Sequence, residues 1–111
     1  MKNSKVFENV SYGSHKRNVL DLYIPGDAKG ELGIVLCIHG GSWISGDKSS
    51  YTEVAQHMCR DLSLGGATVN YRYLSADTTM HDIIDDIDAA VRKIKELGEE
   101  NGVRFNRIIL G

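Results

Sequence analysis

The hydrophobic and polar positions alternate at the start of the chain and then group into longer apolar segments. Residues 6–12 and 19–24 alternate around a polar turn, which predicts two antiparallel strands in a hairpin. Residues 34–38 form a continuous apolar run bounded by glycines, as is typical of a strand buried on both faces of a parallel sheet. Two further strands are predicted over residues 67–71 and 107–111.

Two helices are predicted between the later strands. The first begins near Ser50, which forms a capping box pattern with Glu53. The second covers residues 79–97, because its apolar positions recur every 3.6 residues, and Gly98 is expected as the residue that follows its end. The apolar positions of this second helix are Ile83, Ile84, Ile87, Ala90, Val91, Ile94 and Leu97.

The order of elements is two strands followed by strand, helix, strand, helix and strand. A βαβαβ order implies a parallel sheet with right-handed crossovers. The predicted fold class is therefore α/β, with a β-hairpin followed by a parallel βαβαβ unit in one partial domain over residues 1–111.

Composition and charge exclude several classes of function. Hydrophobic residues make up 41% and charged residues 25% of the chain, with a net charge of −2, so no nucleic-acid or membrane partner is expected. The first residues lead into no apolar signal segment, and the apolar runs are too short to span a bilayer. Cys37 and Cys59 have no metal-binding or redox spacing. The expected compartment is the cytoplasm, with no metal and no cofactor.

The candidate chemistry follows the apolar run at residues 34–38. The next residues are His39, Gly40, Gly41, Ser42 and Trp43. Because glycine lacks a Cβ, a loop of this composition can turn its backbone N–H groups inward. Preorganised N–H donors stabilise the oxyanion of acyl transfer, and one such donor is worth about 3–4 kcal/mol.

Four segments, in order, resemble those of carboxylesterases and aryl formamidases of the α/β-hydrolase superfamily. Residues 39–48 are similar to the HGG-x-W…GD segment, and residues 70–72 are similar to the Asn-Tyr-Arg that ends the following strand. Residues 85–90 resemble the D-x-x-A helix, and residues 106–111 resemble the strand that enters the G-x-S-x-G nucleophile elbow. The resemblance implies the N-terminal part of an α/β-hydrolase, truncated before that elbow.

The resemblance also implies roles for the glycine-rich segment. The N–H groups of Gly41 and Ser42 would be oxyanion donors, and Gly40 would be the turn residue that points them inward. His39 would support the loop rather than act as a base, and Trp43 would bind substrate or pack behind the loop. Many relatives have a third glycine where this chain has Ser42.

The activity implied by this family is hydrolysis of a small-molecule ester, or of an amide such as an aryl formamide, by serine acylation. The triad follows the order Ser, Asp or Glu, His from the elbow onward. All three are therefore expected beyond Gly111, with no nucleophile in this chain, and the chain alone is expected to be inactive.

Alternatives remain open at this stage. The last strand would leave an open apolar edge, which favours a non-catalytic or partner-completed fragment, or self-association. Residues 41–49 are close to the phosphate-binding pattern G-x-x-x-x-G-K-[ST], but Asp47 is an additional residue whose carboxylate would repel phosphate. Asp85, Asp86 and Asp88 are interpreted as a solvated helix face rather than a metal cluster.

Overall fold

A computed structural model describes residues 5–26, 28–38, 47–61 and 64–110. The strands are β1 (Lys5–Ser11), β2 (Val19–Ile24), β3 (Gly30–Ile38), β4 (Gly65–Val69) and β5 (Val103–Leu110). Within the described ranges these five strands form one sheet in the order β1-β2-β4-β3-β5. The predicted hairpin is confirmed, since β1 and β2 are antiparallel.

The parallel strands and the hairpin belong to the same sheet. β3 is parallel to both β4 and β5, as the βαβαβ order predicts, whereas β2 joins β4 in antiparallel register. The α/β fold class is confirmed as a mixed sheet with two helices. β5 begins at Val103, four residues before the predicted start at residue 107, because exposed Arg104 and Asn106 alternate there with buried Phe105.

The helices are α1 (Thr52–Asp61), which a 3₁₀ turn over Lys48–Tyr51 precedes, and α2 (Met80–Glu100). The prediction that Ser50 caps the first helix is wrong. Asp47 caps the 3₁₀ turn by accepting a hydrogen bond from the Ser49 N–H, and Ser50 lies inside that turn.

The second helix begins as the pattern predicts but ends later. Thr79 caps it in a capping box with Asp82. Gly98 lies inside the helix rather than after it, because its missing side chain gives room to Phe105: a Cβ there would come within 2.6 Å of the ring. Asn101 closes the helix, with its side-chain amide donating to the Leu97 carbonyl at 2.8 Å.

The two helices cover opposite faces of the sheet. Successive residues of a strand point to opposite faces, and in β2 Leu22 packs in the larger core with α2, while Tyr23 packs with Ala55 and Cys59 of α1. Ile84 is 57% exposed, so the predicted apolar face of α2 is narrower than expected. Among the described helices, none is long and apolar enough to cross a membrane.

Candidate active site

The candidate site lies where the carboxyl ends of β4, β3 and β5 meet. Ile38 is paired with Val69, and Leu36 is paired with Leu110, so the three strands end at one edge of the sheet. The strand that follows β3 in the chain, β4, lies on one side of β3, and the next strand, β5, lies on its other side. Such a reversal of strand order creates the crevice where open α/β sheets bind ligands.

The predicted catalytic segment is attached at this crevice. It begins at the residue after Ile38 and returns to the described structure at Asp47. The predicted residues His39, Gly40, Gly41, Ser42 and Trp43 lie outside the described residues, and so does Gly111. What the structure provides is the set of contacts that fixes both ends of this segment.

Asp47 forms the return point of the segment. Its carboxylate accepts hydrogen bonds from the Ser49 N–H at 3.0 Å and from the Asn70 amide at 3.1 Å, and it lies 3.4 Å from a guanidinium nitrogen of Arg17. Partial burial opposes ionisation, but the bonds from Ser49 and Asn70 together with the Arg17 charge outweigh it and lower the pKa of Asp47. The carboxylate is thus held as an anion that ties three chain segments together.

Asn70 is the central residue of this network. Its side-chain oxygen accepts from the Lys48 N–H at 2.7 Å, while its amide nitrogen donates to Asp47. Its backbone N–H donates to the Val19 carbonyl at 2.9 Å, and its carbonyl accepts from the Tyr12 hydroxyl. Only 6% of Asn70 is exposed. One buried residue after β4 therefore fixes both the return segment and the hairpin.

Lys48 is paired with a buried carboxylate. Its ammonium group lies 3.0 Å from Asp21 of β2, and Asp21 also accepts from the Asn9 N–H at 2.8 Å. Asn9 has a positive φ of 53° at an irregularity in β1, a conformation that Asn tolerates better than most residues. The Lys48 ammonium group, which a phosphate-binding loop would use to contact phosphate, is thus paired with Asp21.

Arg17 joins the hairpin turn to the end of β4. Its Nε donates to the Tyr71 carbonyl at 3.0 Å, and its guanidinium lies 4.0 Å from the centre of the Tyr73 ring. Together with the contact to Asp47, these interactions fix the guanidinium plane at the carboxyl edge of the sheet.

Arg72 and Asp86 join the same edge to α2. The Asp86 carboxylate accepts from the Arg72 backbone N–H at 2.9 Å and from its Nε at 3.0 Å, and a terminal nitrogen of Arg72 donates to the Asp82 carbonyl at 3.1 Å. The hydrogen bond to Asp86 raises the pKa of Arg72. The interpretation of Asp86 as solvated is wrong, because it is 5% exposed and contacts Arg72 in the segment after β4.

A cleft of about 600 Å³ opens between the hairpin turn and the segment after β4. Its lining consists of His15, Lys16, Arg17, Asn70, Arg72, Tyr73, Ser75 and Thr78. In the described part of the chain, no group of His, Cys, Asp or Glu side chains is arranged to hold a metal ion.

Sequence reasoning identified some of these residues and missed others. The resemblance marked residues 70–72, and the structure gives each of them a contact at the site. Asp21 carried a signal that was not used, since a carboxylate inside a strand of buried residues needs a partner. Arg17 carried no such signal in the sequence, because its contacts depend on how the hairpin turn packs at the end of β4.

The comparisons with known proteins agree on one family. Residues 20–111 match the BD-FAE family. The chain is 30% identical over 106 residues to a probable isoprenylcysteine alpha-carbonyl methylesterase of Oryza sativa subsp. japonica. The aligned region covers 96% of this chain and 25% of the relative. It is 46% identical over 46 residues to a similarly named probable methylesterase of Arabidopsis thaliana, over 41% of this chain and 11% of the relative.

Solved structures give the same fold. A putative thioesterase from Silicibacter sp. has a TM-score of 0.76 at 25% identity, over 95% of this chain and 36% of that one. A bacterial heroin esterase has a TM-score of 0.72 at 25% identity, over 98% of this chain and 34% of that one. Esterase B from Lactobacillus rhamnosis shares the fold, with a TM-score of 0.79 at 22% identity. The match covers 99% of this chain and 36% of that one.

This chain thus spans about a quarter or less of the length of the curated relatives named above, and about a third of the solved structures. The family match covers most of the chain, and the strand order and the named relatives agree with it. The chain belongs to the BD-FAE family of α/β-hydrolase-like, esterase-related proteins.

Proposed function

We propose that this chain supplies the oxyanion side of a carboxylic-ester hydrolase that acts by serine acylation. The observation that supports the proposal is the position of β3 between β4 and β5. Leu36 of β3 is paired with Leu110 of β5, so a residue that follows β5 would emerge beside the segment that follows β3. A nucleophile after β5 and N–H donors in the segment after β3 would then flank the same ester carbonyl group.

In the proposed mechanism a serine hydroxyl attacks the ester carbonyl and transfers its proton to a histidine. The carbonyl oxygen becomes an oxyanion, which accepts hydrogen bonds from the N–H groups of Gly41 and Ser42. Gly40 allows the turn, His39 supports the loop and Trp43 contacts the acyl group. The alkoxide then leaves with the proton from histidine, and water hydrolyses the acyl-enzyme.

The nucleophile and its two partners are proposed to come from outside residues 1–111, because none of the serines here has the elbow context. We therefore expect no turnover of p-nitrophenyl butyrate by the purified chain alone. Turnover that is lost on replacing one of the chain's own serines would overturn this part of the proposal.

The oxyanion role can be tested in a fusion in which residues 1–111 replace the matched third of Lactobacillus rhamnosis esterase B. Ser42→Pro removes the backbone N–H, whereas Ser42→Ala keeps it and serves as the matched control. We expect Ser42→Pro to lower kcat roughly 100-fold or more with little change in KM, and Ser42→Ala to stay within about threefold. Full kcat in a folded Ser42→Pro fusion would contradict the proposed donor.

A partner-completed fragment is the second candidate, and one observation favours it. In the described sheet β5 pairs with β3 on one side only, so its other edge has unpaired backbone groups. Light scattering of the purified chain tests self-association through this edge. A dimer or larger species supports it, and a monomer at all concentrations contradicts it.

The cytoplasm is the proposed compartment. Cys37 and Cys59 are both buried and no disulfide joins them, and burial raises the pKa of Cys37, which keeps it in its unreactive neutral form. A fluorescent-protein fusion in the source cell, located by microscopy, would test this placement.

A further inference from the structure

The cleft between the hairpin turn and the segment after β4 is lined by cationic side chains. Lys16 and Arg17 come from the turn, and Arg72 comes from the segment after β4. Among its described lining residues there is no aspartate or glutamate. Arg17 and Arg72 are each paired with a carboxylate, Asp47 and Asp86, so the two guanidinium groups supply oriented N–H donors and Lys16 supplies the net positive charge. A concave site of about 600 Å³ with these groups on its walls has the volume and the donors for a small anionic ligand.

The two guanidinium groups are held in fixed orientations by neighbouring groups. Arg17 is fixed by the Tyr71 carbonyl, Asp47 and the Tyr73 ring. Arg72 donates through Nε to Asp86 and through one terminal nitrogen to the Asp82 carbonyl. These contacts orient the donors in advance, which reduces the entropy that a ligand would lose on binding.

Donor capacity remains on the cleft side. Within the described ranges, Nη1 of Arg72 has no hydrogen-bond partner, and Lys16 forms no ion pair. Ser75 and Thr78 form the opposite wall, and their backbone groups hydrogen-bond to each other at 3.1 and 3.3 Å. The wall is therefore a closed turn that places two hydroxyl-bearing side chains at the cleft.

We propose that this cleft binds the oxyanion group, a carboxylate or a phosphate, of a small ligand. A guanidinium presents N–H donors in a plane that matches two oxygens of such a group, and a nearby ammonium adds charge without fixed geometry. The described lining residues lie outside the predicted catalytic segment, so the proposal does not rest on ester hydrolysis.

The test is a calorimetric and NMR titration of the chain with inorganic phosphate and, separately, with succinate at low ionic strength. Lys16→Gln removes one cation from the exposed turn without touching the network around Asn70. Lys29→Gln makes the same charge change beside the start of β3, at the opposite edge of the sheet, and is the matched control.

We expect saturable binding of at least one probe, with shifts confined to the turn and to residues 72–78. Lys16→Gln should raise the dissociation constant roughly threefold, as for an exposed charge pair, and Lys29→Gln should leave it unchanged. Binding should weaken as sodium chloride is added. Preference for phosphate indicates a phosphorylated ligand, and preference for succinate indicates a carboxylate. No saturation with either probe, or equal effects of the two variants, would overturn the proposal.

Discussion

The carboxylate of Asp86, in the first half of α2, is bonded to both the backbone and the side chain of Arg72, just after β4. The pair links a helix on one face of the sheet to the edge where the candidate site lies. Because Asp86 is 5% exposed, its charge depends on Arg72 for compensation.

Replacing Asp86 with alanine should destabilise the fold by about 3 kcal/mol, because it removes the partner of Arg72 and leaves its backbone N–H unpaired. Asp88→Ala is the matched control, since Asp88 is exposed on the same helix and, among the described residues, pairs only with Arg92. We expect that control to cost about 0.5 kcal/mol. Urea denaturation of the three proteins measures both values, and equal costs would contradict a structural role for Asp86.

Replacing Asn70 with alanine should cost about 2–3 kcal/mol, because the backbone N–H of Lys48 and the carboxylate of Asp47 both lose a buried partner. Asn106→Ala provides a comparison, because Asn106 is exposed and its side chain, within the described ranges, hydrogen-bonds only to Glu31, at 2.9 Å. Its effect should be within about 0.5 kcal/mol. Thermal denaturation followed by circular dichroism separates the two variants.

Replacing Gly66 with alanine should destabilise the chain by about 2–3 kcal/mol, because an added Cβ would come within 2.3 Å of the Ala55 carbonyl oxygen. The helix would have to move away from β4, since a backbone atom is in the way. In Gly33→Ala the nearest atom is a Leu64 methyl at 3.4 Å, so we expect a cost below about 1 kcal/mol. A tolerated Gly66→Ala would show that α1 sits further from the sheet.

The stabilising effect of Asp47 should depend on pH in a defined direction. Its pKa is lowered in the folded state, so its contribution is present above the ordinary value of about 3.9 and is lost as the pH falls through the lower folded value. The stability difference between the parent chain and Asp47→Asn should therefore be largest near neutral pH and shrink below about pH 4. A difference that stays constant from pH 7 to pH 3 would contradict this expectation.

The pattern of apolar positions predicted most of the fold. The period of α2 reflects the burial of one helix face. The alternation in β2 separates residues that pack with α2, such as Leu22, from Tyr23, which packs with α1. The errors fall at element ends. Gly98 was expected to follow α2, but its place inside the helix is set by Phe105 of the next strand, whose ring reaches Gly98 because β5 packs against α2.

The candidate site was predictable only in part. The segment with Gly41 and Ser42 was found through family resemblance, and its geometry stays a prediction. The support around Asp47 could not be derived, because periodicity says nothing about which polar side chains meet at a sheet edge. Arg17 and Asn70 are 53 positions apart in the chain and become neighbours only through the antiparallel pairing of β2 with β4.

The Tyr12 hydroxyl and the Arg17 guanidinium both contact the segment after β4, yet both precede residue 20, where the match to the BD-FAE family begins. Part of what fixes the crevice in this chain therefore lies before the region that the family model matches, whereas Asp47 and Asn70 lie inside that region. An alignment restricted to residues 20–111 would compare the predicted catalytic segments while leaving out the contacts that Tyr12 and Arg17 make with the segment after β4. Transferring residues 20–111 behind the first strand and turn of another protein would keep the predicted catalytic segment but lose the contacts of Tyr12 and Arg17 with the segment after β4.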